Sequence, residues 1–524
     1  MTIGVSILTG WILGYFAIKN KIFENLYTSL IGIFESIPVV SFFPIVLLFF
    51  INNIGGLIGI ELAADFLVFT AVVWNIWVAI YQSYKTIPIS YIEVAENFRF
   101  KLIDKFLKIY IPFSVPRIAA QLLPSFSSGL FYITVSEIFS IGTTSYSVFG
   151  IGELIEMYTS NFDVNLMLIL ISILITFIVI ITELLRRFTR FAIEKYGLDT
   201  EMKVIKKGRI RTRYSIRIYN TLSPVVKISK LIVNRVRVLT NSEQNFMIRR
   251  KIFITNKIKL LIIKTIVIIL FLISILNIIL FLLNIPLREW LFLISLTPSI
   301  LYSILIDYIR VGIILGVSLT ISLLIPYYIS VHAKLEKIVI NFLQIFSSLP
   351  PVTYFPLLFA ISHDLVLKVF NGYSNEFYVI LLGFLSTFSY IFYSSWLGIK
   401  NIPYEVWEVT KNLRLDLINK IRYIIFPSSL PYLVTGLSST INGAWGGLTI
   451  GEYWPNIYDD YTLEVKTGIM KNIAIATSNG NIDVAAWNSL IFGIIIAIYS
   501  IFIIRKFLDR IKDKYIVEES VYIA

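Results

Sequence analysis

The residues with the clearest chemical potential in this sequence are polar side chains set inside long apolar runs, because burying such groups is costly and is tolerated where it serves a use. Ser125, Ser127, Ser128, Thr134 and Glu137 stand in one run, and Thr440, Asn442, Gly443, Trp445, Thr449 and Glu452 stand in a matching run about 315 residues later. Hydroxyls and amides placed this way can exchange hydrogen bonds with a passing solute. Small residues such as Ser128, Gly129, Gly443, Gly446 and Gly447 equally suit close helix packing, and residue type alone leaves both uses open. Glu137 and Glu452 close their runs, and their charge would not attract an anion. Covalent chemistry has no support. There is no cysteine, His332 and His363 have no further ligand at metal spacing, and no nucleophile, base and orienting group converge. Nor is there a Gly-x-x-x-x-Gly-Lys-Ser/Thr phosphate loop. No catalytic residue, cofactor or metal site is assigned.

The elements that must hold these residues are membrane helices. The chain has 524 residues, 57% hydrophobic and 15% charged, with mean hydropathy +0.79, too apolar for a soluble globular protein. Runs at 166–181, 260–283 and 309–329 approach or reach the roughly 20 residues that cross a bilayer core at 1.5 Å per residue. They lack the alternation of a membrane β-barrel, so the expected class is an all-α integral membrane protein. The net charge of +13 is local. Residues 186–259 hold 20 Lys and Arg against 4 acids, which suits a loop on the positive side of a membrane and touching its headgroups better than a nucleic-acid site.

The chain repeats itself. Ser36-Ile-Pro-Val-Val-Ser-Phe-Phe-Pro44 aligns with Ser348-Leu-Pro-Pro-Val-Thr-Tyr-Phe-Pro356 at an offset of 312, and residues 88–116 align with 403–431 at 315, with 12 of 29 positions identical. Chance would give about two or three, so this is an internal duplication. The expected organisation is a first transmembrane unit at 1–185, a basic linker at 186–258, a second unit at 259–506 and a tail at 507–524. Five helices are expected near 2–18, 29–51, 62–84, 118–140 and 164–183, and six near 260–283, 309–330, 338–361, 377–399, 432–452 and 485–504, about 11 in all. The N-terminal segment lacks a basic n-region and aligns with 313–330, so it is expected to be a membrane helix and not a signal peptide. The helix at 260–283 has no counterpart in the first unit, which points to a lost helix or an upstream start. Placing the basic segment inside makes 52–61, 141–163, 285–307, 362–376 and 453–483 outer loops with 4 basic and 12 acidic residues. Lys85, Lys101, Lys105, Lys400 and Lys420 then fall inside, as positive-inside requires.

The best-repeated part is the loop at 86–117, mirrored at 401–432. Glu93, Val94, Asn97, Arg99 and Pro112 recur as Glu408, Val409, Asn412, Arg414 and Pro427. Between bracketing prolines the pattern is helical, with Leu102, Phe106 and Ile109 on one face and Lys101, Asp104, Lys105 and Lys108 away from it. Ser90 followed by Glu93 fits a capping box. Such a helix could rest on the membrane surface, yet two matching copies suit a partner that comes as a symmetric pair.

Glu93-Val94-Ala95 followed by Pro112-Phe-Ser-Val-Pro116 resembles the Glu-Ala-Ala loop of type I permease subunits of binding-protein-dependent ATP-binding cassette importers. Ile37-Pro38, Phe43-Pro44, and the stretch from Leu430 through Ala444-Trp445 to Glu452 resemble the nitrate, sulfonate and taurine branch in its duplicated form. Arg99 and Arg414 stand where that family has glycine, and Thr410 stands at the last alanine. The resemblance implies a plasma-membrane permease with linker and C-terminus cytoplasmic. It further implies two separate ATPase subunits bound through Glu93, Val94, Ala95, Asn97, Arg99 and Pro112 and through Glu408, Val409, Asn412, Arg414 and Pro427. An extracytoplasmic solute-binding protein would dock opposite, with Ser127, Ser128, Thr134, Glu137, Asn442, Trp445, Thr449 and Glu452 as path candidates and no nucleic-acid partner. The alternative function is an ATP-independent secondary transporter, which also often carries repeats.

Overall fold

The computed structural model describes residues 1–34, 46, 49–50, 54–137, 140–141, 144–145, 150–160, 164–196, 286–400, 402, 404–458 and 461–499. The 36–44 motif, most of the basic segment, the helix expected at 260–283 and the 507–524 tail lie outside them. The chain divides into one unit formed by Met1–Gly197 with Leu296–Ala524 and another formed by Leu198–Ser295. Apart from the first turns of one long helix, the described elements belong to the first unit.

In the first half the elements are α1 (Thr2–Lys19), α2 (Lys21–Phe34), α3 (Gly56–Lys85), α4 (Ile89–Asn97), α5 (Leu102–Lys105), α6 (Ile111–Glu137), a two-stranded hairpin β1–β2 (Ser140–Ile141 and Thr144–Ser145), α7 (Ile151–Ser160) and α8 (Val164–Tyr196). The second half has α9 (Leu287–Ser330), α10 (Ala333–Ser348), α11 (Pro351–Phe370), α12 (Ser374–Lys400), α13 (Tyr404–Asn412), α14 (Leu417–Lys420), α15 (Phe426–Gly451), a hairpin β3–β4 (Tyr453–Tyr458 and Tyr461–Glu464), α16 (Ile469–Ser478) and α17 (Ile482–Tyr499). Six described helical segments are long and apolar enough to cross a membrane.

The duplication is visible in contacts as well as in order. Glu24 of α2 accepts a hydrogen bond from Tyr81 and an ion-pair contact from Lys85, both at 2.5 Å, at the end of α3. In the second half Glu336 of α10 pairs with Lys400 at 2.9 Å and accepts from the Trp396 indole at 2.8 Å at the end of α12. The two carboxylates are 312 residues apart and their partners 315, the same two offsets found in sequence. The Lys85 ammonium and the Tyr81 hydroxyl hold the Glu24 carboxyl below the usual carboxylate range.

Four expectations need correction. Residues 287–307 are not an outer loop but the first part of α9, a helix of 44 residues. Its length is about 66 Å, twice a bilayer core. Of the charges that read as loop, Asp307 is absorbed by pairing, since it shares a face with Arg310 at i, i+3 and bonds it, while Ser299 and Ser303 return their hydroxyls to carbonyls of the preceding turn. The helix expected at 338–361 is two, α10 and α11, broken at Leu349-Pro350, because consecutive prolines cannot donate to the preceding turn and fit only at a new helix start. The class is not purely α. Each half carries a small antiparallel hairpin beyond Glu137 or Glu452, and in the second Trp454, Ile457 and Leu463 are buried among Val352, Phe355 and Phe359. Finally, no capping box forms at Ser90. Pro88 is the N-cap, and Ser90 lies inside α4 with no side-chain cap.

Candidate functional site

Two regions hold most of the sequence-predicted residues: a cavity between the repeats and a pair of loops. In each loop a short helix is followed, after a sharp bend, by a longer one. α4 ends with Phe100 N donating to Ala95 O at 2.8 Å and Arg99 N to Glu96 O at 2.9 Å, the double bond of a Schellman motif. That geometry places the residue after the cap in the left-handed region, and Arg99 has φ 49°. In the second loop Leu415 N donates to Thr410 O at 3.2 Å and Arg414 has φ 48°. Glycine is the residue that meets this demand freely, and an arginine there costs about 1 kcal/mol. The other described non-glycine residues with positive φ are Asn371 and Asn456, a residue type that tolerates it.

Around the bend the surface is laid out alike in both copies. Glu93, Asn97, Arg99, Glu408, Asn412 and Arg414 are exposed, as are Phe98 (72%) and Ile103 (68%) with their counterparts Leu413 (64%) and Ile418 (71%). Val94 is also exposed, while Ala95 is fully buried, and Thr410 occupies the same buried position by turning its hydroxyl to Trp407 O at 2.6 Å. Leu102, expected to share a face with Phe106 and Ile109, is exposed, whereas those two are half-buried. Of the other loop charges, Lys105 pairs with Glu96 and Lys108 with Asp104. Exposed apolar side chains ringed by charge are a common make-up of protein-contact surfaces.

Each loop runs into a cavity-lining helix without a joint. α5 continues through a π-helical turn, Phe106–Tyr110, into α6, and α14 continues through Ile421–Ile425 into α15. Both turns precede a half-buried proline, Pro112 or Pro427. A proline ring clashes with the carbonyl four residues back, here that of Lys108 or Tyr423, and widening the turn moves that carbonyl aside.

The cavity, about 320 Å³, lies where α3, α6, α12, α15 and the α10–α11 break meet. Its wall is built from repeat-equivalent positions. Ala71 and Ser386 both line it, as do Asn75 and Tyr390, Pro124 and Ser439, Ser127 and Asn442, Ser128 and Gly443, and Phe131 and Gly446, each pair 315 residues apart. Ser127 donates to Ser348 at 3.1 Å across the two halves, and Tyr390 is hydrogen-bonded to Ser128. No charged side chain stands among the described lining residues. The cavity therefore offers hydroxyl and amide hydrogen bonds against aromatic and small-residue walls, without fixed charge.

The other path candidates lie elsewhere. Trp445 is 1% exposed and packs edge-on to Tyr308 and Phe492. Thr134 is buried, and Thr134 and Thr449 turn their hydroxyls back to their own helices. Glu137 and Glu452 are buried at the start of the short helices α7 and α16. Glu137 accepts from Gly152 N at 2.5 Å, and Glu452 from Lys471 N at 3.0 Å. A carboxylate at a helix N-terminus satisfies otherwise free N–H groups. Gly150 and Gly468, just before these helices, lie so close to their glutamates that any Cβ would strike the carboxylate. Sequence reasoning missed this pairing, although Gly150-Ile151 with Thr159-Ser160 and Gly468-Ile469 with Thr477-Ser478 repeat at an offset of 318. It also missed Asp307, Arg310 and Glu376, although Glu376 repeats Glu61 at the 315 offset.

A duplicated helical bundle with a shared cavity free of charged lining residues among those described, and with a loop continuous with each of two cavity-lining helices, suits a membrane transport subunit. Residues 6–192 and 312–514, about three quarters of the chain, match the family described as binding-protein-dependent transport system inner membrane component. The chain belongs to that family, and its two matched segments are the two halves of the duplication. Neither a curated protein nor a solved structure matches it. It is accordingly a multi-pass, non-catalytic permease component of an ATP-binding cassette transport system, which works with an ATPase and a binding protein.

Proposed function

We propose that this chain supplies both halves of an importer's translocation path, binding two separate ATPase subunits through the loops at 86–117 and 401–432. The observation that carries this is mechanical continuity. The second half of each loop is the beginning of the helix that lines the cavity, so Leu102–Glu137 runs from loop surface to Ser127 and Ser128 as one helical segment. A loop displaced by an ATPase dimer closing on ATP moves the cavity wall with it, and the bundle is the two-state element that both ends bias. The basic linker and the C-terminus are on the same, cytoplasmic, side as these loops by the charge rule. The solute-binding protein docks at the opposite end, near the hairpins beyond Glu137 and Glu452. The domain limits 1–185, 186–258, 259–506 and 507–524 belong to the same proposal.

The solute is a small anion of the nitrate, sulfonate or taurine kind. Motif resemblance supports this, and the cavity's hydroxyl and amide donors are compatible with an oxyanion. Replacing Glu93 and Glu408 together with alanine is expected to abolish ATP-driven uptake in proteoliposomes while leaving the permease folded, as judged by an unchanged elution profile. Uptake at the wild-type rate in that double variant would refute coupling through these loops. Capture of an ATPase with the affinity-tagged wild-type protein in mild detergent is the companion test, and a wild-type protein that captures none would count against the whole scheme.

A further inference from the structure

We infer that Arg99 and Arg414 are charge-specific contacts for carboxylates in the grooves of the ATPase, which rests on the loop-docking reading above. Both arginines hold a backbone conformation that disfavours them. They are the two described residues other than asparagine and glycine with positive φ, they stand 315 residues apart, and their φ values agree within a degree. A residue kept twice at such a position is held there by its side chain, because the backbone would be better served by glycine or asparagine.

Nothing within the described fold explains those side chains. Both are exposed, and no described residue forms an ion pair with either, whereas Lys105 and Lys108 on the same loop are each paired. Each arginine directly follows an exposed apolar residue, Phe98 or Leu413, and is followed four residues on by Ile103 or Ile418. When such a patch is covered by a partner, a guanidinium at its centre loses water and must find acceptors, and a carboxylate meets its planar fork with two bonds. The occupant is therefore a protein groove with an acidic residue beside an apolar floor, presented twice by two copies of one ATPase. Charge at such a contact selects the partner and speeds association as well as strengthening it.

The test separates backbone from side chain. The double variant Arg99→Gly/Arg414→Gly removes both charges and gives each bend its preferred residue, so the thermal midpoint of the purified permease stays the same or rises. Affinity for the ATPase captured with the wild-type protein is then measured by surface-immobilised binding, in nanodiscs of zwitterionic lipid and again with anionic lipid. The expected result is a loss of at least about tenfold at low salt in both lipids, a smaller loss at high salt, and partial recovery in Arg99→Lys/Arg414→Lys. Unchanged affinity in the glycine variant would overturn the assignment. A loss confined to anionic nanodiscs would also overturn it, by giving the arginines to lipid headgroups. The Glu93→Ala/Glu408→Ala variant is measured beside it: unchanged affinity in that variant as well marks failure of loop docking itself, whereas a loss there with none in the glycine variant overturns the arginine assignment alone.

Discussion

Replacing Arg310 with leucine is expected to destabilise the protein by about 3–5 kcal/mol, the cost of removing one partner from a buried charge cluster. Arg310 is 2% exposed, and Asp307 and Glu452 are 0% exposed. Its guanidinium binds Glu376 through two hydrogen bonds of 2.7 Å, bonds Asp307, and approaches Glu452 Oε1 at 3.6 Å. Asp307 in turn accepts from Ile469 N at 2.7 Å, and Glu452 accepts from Lys471 N. One cation thus ties α9, α12, the end of α15 and the start of α16. Without it two buried carboxylates face each other with only backbone donors. The check is thermal unfolding of the detergent-solubilised variant by tryptophan fluorescence, where a midpoint equal to wild type would show that the cluster contributes nothing. Adding Asp307→Asn and Glu452→Gln to Arg310→Leu should recover part of the loss, since neutral amides tolerate burial better than unpaired charge.

Gly447→Val is expected to cost about 1–3 kcal/mol or more by overpacking, and to abolish uptake. A Cβ at Gly447 would lie 2.6 Å from Gly383 Cα, 3.0 Å from Gly383 N and 3.2 Å from Leu382 O. All three are backbone atoms, so no side chain can swing away, and α12 and α15 must separate. The neighbouring glycine provides the contrast. A Cβ at Gly446 meets Phe131 at 3.5 Å, an ordinary contact, so Gly446→Ala should keep the wild-type midpoint. Gly446 lines the cavity, however, and if the proposed path runs through it the extra methyl lowers uptake in proteoliposomes by narrowing the cavity. Equal midpoints for Gly447→Val and wild type would contradict the close helix approach.

Much of this was readable in the residues themselves. The duplication, the loops, and the doubled Glu, Asn, Arg and Pro positions come from identity at fixed spacing, which needs no coordinates. The Glu24 and Glu336 latches were within reach too, because they share the 312 offset of Ser36 and Ser348. The path candidates divided unevenly. Ser127, Ser128 and Asn442 line the cavity, whereas Thr134, Glu137, Trp445, Thr449 and Glu452 sit off it although they lie on or at the end of the same helices. Helical periodicity says that residues share a face, not what that face meets. Trp445 turns to Tyr308 and Phe492, from elements 137 residues before it and 47 after it in sequence.

The outer segments were misread for a related reason. Asp307 and Glu376 look like loop charges one at a time, and only their convergence with Glu452 on Arg310 makes burial tolerable and lets α9 continue. The bend at Arg99 carried one warning, the glycine that the resembled family has at that position, but an arginine's identity does not by itself state its backbone angle. The sequence alone determined that this is a duplicated membrane permease bearing two matched loops, because composition and repeated identity are properties of the chain. The tertiary structure decided which polar groups face the cavity, which carboxylates cap a helix, and that two arginines hold a glycine's conformation, because each depends on atoms that distant segments bring together or on angles that the whole bend imposes.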